Sequence, residues 1–375
     1  MRILFITNNY TPYSGGVVSS IQATVGALQE LGHEVQIVTL NFLGTKHQDP
    51  PYVYRIPSLL RFVYKSNHMA IAWRAKRHLR DIITRFSPDI IHVHHPFLLG
   101  RLGAQLGRRL SIPVVFTYHT LYEHYAHYVP APQWLVTFLI KRQVERFYRY
   151  IDGLVLPSCA MHSQVDPTSV PTLVLPSGLN LHFVDLPFRP HTIAEHNTIR
   201  LLLVSRFAPE KNIEWLLDVM ILLRFCNVEL TLVGHGVAYE RLQFYAYKQL
   251  HLTQTVIFVH KPTPQELLAC YKKADIFLFP STSDTQGLVL AEAMACGKPV
   301  VAIDGPGQRD IIRDGYNGYI VKTKKQMADK IIDIARDGKL YKRLQDGAWH
   351  TGRDYDPLFL TRKLLTFYNR LLPKL

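Results

Sequence analysis

Cysteine is scarce in this chain. Cys159, Cys226, Cys270 and Cys296 are scattered, with no Cys-x-x-Cys pair and no histidine cluster beside them. That spacing gives no support to a zinc or dithiol site and reads as reduced thiols in a cytosolic protein. Long apolar runs are missing too. A spanning helix needs about 18–20 apolar residues, whereas the longest candidate, Trp134–Ile140, stops at Lys141-Arg142. The opening Met1-Arg2-Ile3-Leu4-Phe5-Ile6-Thr7 turns polar too soon for a signal peptide and reads as a first buried strand. Acidic residues are depleted in one region. Between Arg55 and Arg149 stand 15 Lys and Arg against 4 Asp and Glu, which places most of the net charge of +14 there. Such an excess points to an anionic partner, an acidic membrane surface or nucleic acid. No nucleic-acid recognition motif accompanies it, so nucleic acid is not the expected partner.

What is present is the alternation of an α/β protein. At 375 residues the chain exceeds the ~250–300 that one core usually serves, so two domains are expected. Short β-branched runs alternate with helical patterns, the signature of parallel sheets covered by helices. Strands are expected at Ile3–Thr7, Val35–Thr39, Ile90–Val93, Val114–Thr117, Gly153–Leu156 and Leu173–Leu175, with a helix at about Val17–Leu31. A second set begins near residue 199: Leu201–Val204, Glu229–Val233, Val256–Val259, Ile276–Phe279, Val300–Ile303 and Gly318–Val321. Helices are expected between them near 213–224, 237–250, 264–273, 286–296 and 325–337. Leu186-Pro187-Phe188-Arg189-Pro190-His191 reads as a linker. This gives a first domain over 1–186, a second over 191–355, and a final helix over 356–375 able to pack back on the first.

Ligands of doubly wound sheets bind beyond the carboxyl ends of the strands. Ser14-Gly15-Gly16-Val17 lies between the first strand and the first helix, where paired glycines admit a ligand to the backbone and a helix N-terminus favours an anion. A tight turn alone would explain the same residues. Arg206 and Lys211 follow Leu201–Ser205, and an Arg fork beside a Lys point charge can neutralise a pyrophosphate as its bond breaks. Asp284 stands in the loop after Ile276–Phe279, and Glu292 on the next helix with seven residues between. The loop carboxylate can accept from sugar hydroxyls and the helix carboxylate can grip a ribose diol, while N–H groups near Gly287 and Leu288 face phosphates. Alternatively, Glu292 pairs with Lys298.

Together, Arg206 with Lys211, the Asp284–Glu292 pair, Ala293-Met294-Ala295-Cys296-Gly297-Lys298-Pro299-Val300 and Asn317-Gly318 resemble family 4 of the retaining glycosyltransferases, from the Gly15-Gly16 loop to about residue 340. The resemblance implies the GT-B fold: two Rossmann-like domains with parallel sheets facing a central cleft. It implies that Gly15 and Gly16 lie beside the donor phosphates and that His119 contacts the donor sugar near its reacting face. Arg206 and Lys211 would stabilise the departing nucleoside diphosphate, Asp284 would hold sugar hydroxyls, and Glu292 the ribose. Gln286, Gly287 and Leu288 would complete the donor site. No metal or other cofactor is implied, and no Asp-x-Asp metal motif is read in the sequence. The sequence departs from the pattern at Asp284, where Glu with its longer arm is usual, and at Gly234-His235-Gly236, where an acid commonly stands between the glycines.

His92-Val93-His94-His95-Pro96-Phe97-Leu98-Leu99-Gly100-Arg101, Phe116–Pro130 and Thr285-Gln286-Gly287-Leu288-Val289 resemble the diacylglycerol glucosyltransferase branch. That implies a UDP-sugar donor, UDP-glucose, a lipid acceptor such as diacylglycerol, and residence in the cytoplasm at the inner face of a membrane. A same-fold transferase acting on a soluble or saccharide acceptor with a UDP- or GDP-sugar is the alternative. Basic and aromatic residues mix at Arg61–Lys65, Trp73–Arg80 and Trp134–Arg149, a composition that suits a lipid interface or an ordinary solvated face.

Overall fold

Strands buried on both faces need apolar residues at every position, and the chain supplies them in two sets. The computed structural model describes all residues except 12–14, 43–48, 65–66, 120–121, 123–130, 163–169, 185, 189, 191, 194–196, 283, 285 and 374–375. The chain divides into two compact units, Met1–Gly178 with Pro357–Leu375, and Leu179–Asp356.

The first unit contains β1 (Arg2–Ile6), β2 (Glu34–Leu40), β3 (Val53–Ile56), β4 (Ser58–Tyr64), β5 (Asn67–Ala72), β6 (Ile90–Val93), β7 (Val114–Thr117), β8 (Gly153–Leu156) and β9 (Thr172–Val174). Seven of these form one sheet in the order β3-β2-β1-β6-β7-β8-β9, with every pairing parallel. The period of two along β1 divides the core. Ile3 and Phe5 join Val18, Ile21, Val25 and Leu28 of the helix Gly16–Glu30 on one face. Leu4 and Ile6 join Leu79, Ile83 and Leu99 on the other. The helix Pro357–Leu371 belongs to this unit because Leu360, Leu364, Phe367 and Tyr368 share one stripe and enter the first of these faces. Its approach at β8 is close enough that a Cβ on Gly153 would lie 2.6 Å from Leu371. β4 and β5 form a separate antiparallel pair.

The second unit holds β10 (Ile199–Val204), β11 (Val228–Gly234), β12 (Val256–His260), β13 (Ile276–Phe279), β14 (Val300–Ile303) and β15 (Gly318–Val321), in the order β12-β11-β10-β13-β14-β15, all parallel. The proline-bearing stretch that reads as a linker is tied into this unit: Arg353 donates to the Leu186 carbonyl, and the Phe188 ring lies against Trp349. The boundary therefore falls earlier, at Gly178.

In each sheet the strand order reverses once, between β1 and β6 in the first and between β10 and β13 in the second. A reversal opens a crevice at the carboxyl ends of the two central strands. The residues after β1 and β6, and those after β10 and β13, are thereby selected.

Candidate active site

In the second unit the switch point brings Lys211 and Asp284 together. After β10 the chain runs through Arg206 to a single 3-10 turn, Pro209–Lys211, and into the helix Ile213–Leu222. Lys211 Nζ donates to Asp284 Oδ1 at 2.6 Å, with both side chains largely covered. The second carboxylate oxygen, Oδ2, is buried without a hydrogen-bond partner among the described residues. Arg206 Nη2 donates to Glu210 Oε1 at 3.1 Å, a partner one helical turn away that the sequence reading overlooked.

The loop carrying Asp284 is held from several sides. Asn212 Nδ2 donates to the Pro280 carbonyl at 3.3 Å, and the Gln308 amide donates to the Ser281 carbonyl. Gly307 N–H donates to the Asp284 carbonyl at 3.1 Å. A Cβ on Gly307 would stand 2.9 Å from that carbonyl, so the close approach requires glycine. Gly287 has φ of 66° and caps the helix Leu288–Ala295, with half-buried Gln286 just before it. Ser283 and Thr285 lie outside the described residues.

Glu292 projects from that helix and accepts from the Tyr271 hydroxyl at 2.6 Å. Burial pushes its carboxyl up to about 7, against the lowering effect of the tyrosine bond. It makes no pair with Lys298, whose Nζ donates to the Lys272 carbonyl at 3.0 Å, satisfying the end of a helix instead. Nothing in the sequence marks Tyr271 as the partner.

Gly234-His235-Gly236 is explained by backbone packing. The Phe207 N–H donates to the His235 carbonyl at 2.8 Å, and a Cβ on Gly234 would stand 1.9 Å from the Ser205 carbonyl oxygen. This loop braces the segment that carries Arg206. Gly234→Ala should therefore destabilise the protein by about 2–3 kcal/mol. A thermal midpoint unchanged from the parent would contradict that bracing.

In the first unit, the loops after β1 and β6 are joined through His95. Its Nδ1 lies 3.3 Å from the Asn8 N–H and 3.4 Å from Thr7 Oγ1. The Asn8 side chain donates to the Phe97 carbonyl and accepts from the Leu99 N–H. His119 follows β7, and its Nε2 lies 2.8 Å from His94 Nδ1. His92 is clamped between Tyr368 and Thr117. Burial drives all four rings toward the neutral form, His119 and His92 to about 3, His95 to about 4 and His94 well below its ordinary value. Gly15 is extended, and a Cβ on Gly16 would meet nothing within 4 Å, so local packing does not require glycine at 16. Ser14 and most of 120–130 lie outside the described residues.

Residues 14–183 match the family described as Glycosyltransferase Family 4, and residues 188–350 match Glycosyl transferases group 1. An alpha-monoglucosyldiacylglycerol synthase of Streptococcus pneumoniae is 31% identical, over 89% of this chain and 78% of its own length. The chain belongs to glycosyltransferase family 4. It is a glycosyltransferase of the GT-B fold. A protein of the same printed name from Acholeplasma laidlawii is 26% identical over 100% of this chain and 98% of its own. A GDP-mannose-dependent alpha-mannosyltransferase of Mycolicibacterium smegmatis is 26% identical over 86% of this chain and 84% of its own. Among solved structures, Anabaena HepE in complex with UDP-glucose superposes with a TM-score of 0.76 at 17% identity, over 99% of this chain and 100% of that one.

Among the described residues of this glycosyltransferase, no three His, Cys, Asp or Glu side chains are grouped to hold a metal ion. The triplet Asp354-Tyr355-Asp356 does fit the Asp-x-Asp pattern, but it follows the helix Gly338–Arg353 rather than a strand.

Proposed function

We propose that this glycosyltransferase moves glucose from UDP-glucose to the hydroxyl of a membrane diglyceride, with retention at the anomeric carbon. The observation that carries the donor half is the Lys211–Asp284 pair at the switch point of the second sheet. Lys211 and Arg206 take the charge that develops on the leaving diphosphate, each exchanging part of its carboxylate pairing for phosphate oxygens. The unpartnered Asp284 Oδ2 accepts from a sugar hydroxyl. Glu292 holds the ribose diol, and Gln286, Gly287 and Leu288 line the nucleotide. Gly15 and Gly16 give the phosphates room, and His119 meets the sugar.

In the chemical step the bond from the anomeric carbon to the phosphate oxygen breaks, and its electron pair leaves on UDP. The acceptor oxygen attacks from the same face, and its proton passes to the departing phosphate. The cations supply the charge stabilisation, so no metal or other cofactor enters. Turnover should persist undiminished in EDTA, and a loss restored by Mg²⁺ would contradict this.

The lipid half rests on the named relatives and on surface chemistry. In the helix Gln133–Phe147, Trp134 is 73% exposed, and Phe138 and Leu139 about half exposed, with Lys141, Arg142 and Arg146 following. On the β4–β5 pair, Leu60 and Ile71 are cross-strand neighbours that both stay exposed, and Trp73 with Arg74 over its ring comes next. Rings and aliphatic side chains would enter the headgroup layer while cations meet lipid phosphates, a chemistry that supports residence at the inner membrane face. No helix among the described residues is long and apolar enough to cross a membrane. Co-sedimentation with anionic vesicles should weaken as salt rises from 0.05 M to about 0.5 M. Salt-independent binding, or none, would overturn the docking. Product formed equally well on a soluble sugar without vesicles would favour the saccharide-acceptor alternative.

A further inference from the structure

We propose that His94 is a positioning residue that fixes His119 in a single tautomer, with the His119 proton on Nδ1 and its Nε2 lone pair directed at His94. The inference rests on the reading that His119 meets the donor sugar.

The geometry leaves one arrangement of protons. His94 Nδ1 and His119 Nε2 are 2.8 Å apart, and burial keeps both rings neutral, so one ring donates and the other accepts. The other nitrogen of His94 decides which. His94 is 3% exposed, and its Nε2 is buried with no hydrogen-bond partner among the described residues. With its proton on Nε2, His94 would bury an unbonded N–H, whereas an unbonded lone pair is the more tolerable orphan. The proton therefore sits on Nδ1 and is donated to His119. That bond leaves His119 protonated on Nδ1, so its second nitrogen is a donor rather than an acceptor.

The ring of His94 has little freedom to give this up. It lies nearly parallel to Phe5 and to His119, each 5.1 Å away between centroids, and stacks on His92 at 4.5 Å. His92 is itself fixed at both nitrogens, by Tyr368 from the carboxyl-terminal helix and by Thr117 of β7. A packed column of rings thus runs from that helix to the residue after β7.

The experiment is a long-range 1H–15N correlation spectrum of the imidazoles of the full chain, with His119→Ala used to assign the ring. In the parent, His119 should show an unprotonated Nε2 and a protonated Nδ1. His94→Leu should abolish that single pattern and lower kcat by roughly ten- to a hundredfold, with KM for UDP-glucose little changed. In His94→Asn the amide nitrogen stands near the position of Nδ1, so the tautomer and most of kcat should return. A parent spectrum with His119 protonated on Nε2, or a His94→Leu variant with unchanged spectrum and kcat, would overturn the proposal. If His94→Leu does not fold, the parent spectrum alone still decides the tautomer. If His119→Ala turns over normally, the sugar contact fails while the tautomer measurement stands.

Discussion

Replacing Lys211 by alanine should lower kcat about a hundred- to a thousandfold, equivalent to about 3–4 kcal/mol of transition-state stabilisation. The expectation comes from the position of its ammonium at the end of β10, beside Asp284 and largely out of solvent, where a charge is worth more than in water. Lys211→Ala also leaves Asp284 without its counter-ion, so part of any loss would come from a displaced loop. Lys211→Arg separates the two effects. It restores a partner for Asp284 but presents a planar fork in place of a point charge, and should recover stability more fully than turnover. A Lys211→Ala enzyme with a normal melting transition and near-normal kcat would remove the phosphate role.

The second large effect concerns acid. Below pH 6.5 the first unit should lose stability steeply, through the histidines after β6 and on it. Folding holds His92 to about 3 and His95 to about 4, with His94 well below its ordinary value, whereas the unfolded chain titrates near 6.5. The unfolded state therefore takes up protons first. The stability these rings contribute is complete above pH 6.5 and drains away as pH falls toward their folded values. Each ring costs about 1.4 kcal/mol per pH unit in that window, so the three together cost about 4. Urea midpoints measured at pH 7.5, 6.0 and 5.0 test this directly. A midpoint that stays level from 7.5 to 5.0 would show that the rings are not buried and neutral.

Much of the fold is legible in the sequence, for a physical reason. Strands of a parallel sheet are covered on both faces, so β8, β13 and β14 appear as short uninterrupted apolar runs, and β1, β6 and β7 as runs broken only by Arg2, His92 and Thr117. The helix Gly338–Arg353 is harder to see, because Gly347 and Gly352 argue against a helix. Those glycines let it pack: Cβ atoms there would stand 2.1 Å from the Tyr316 carbonyl and 2.4 Å from Ala295. The β4–β5 pair is hidden by its mixture of basic, aromatic and polar residues, which scans as a surface stretch. At the candidate site, Arg206, Lys211, Asp284 and Glu292 stand out because they follow strands in the correct order. Their partners do not. Glu210 lies one turn from Arg206 and was within reach of a spacing argument, but Tyr271, Gln308 and His94 meet their partners only through tertiary packing.

Donor and acceptor are tested together by a product screen read by mass, offering UDP-glucose, UDP-galactose and GDP-mannose to diacylglycerol in anionic vesicles and to soluble sugars. One dominant product is expected, diacylglycerol heavier by a single hexose, formed from UDP-glucose. A product made only from GDP-mannose, or only on a soluble sugar, would contradict it.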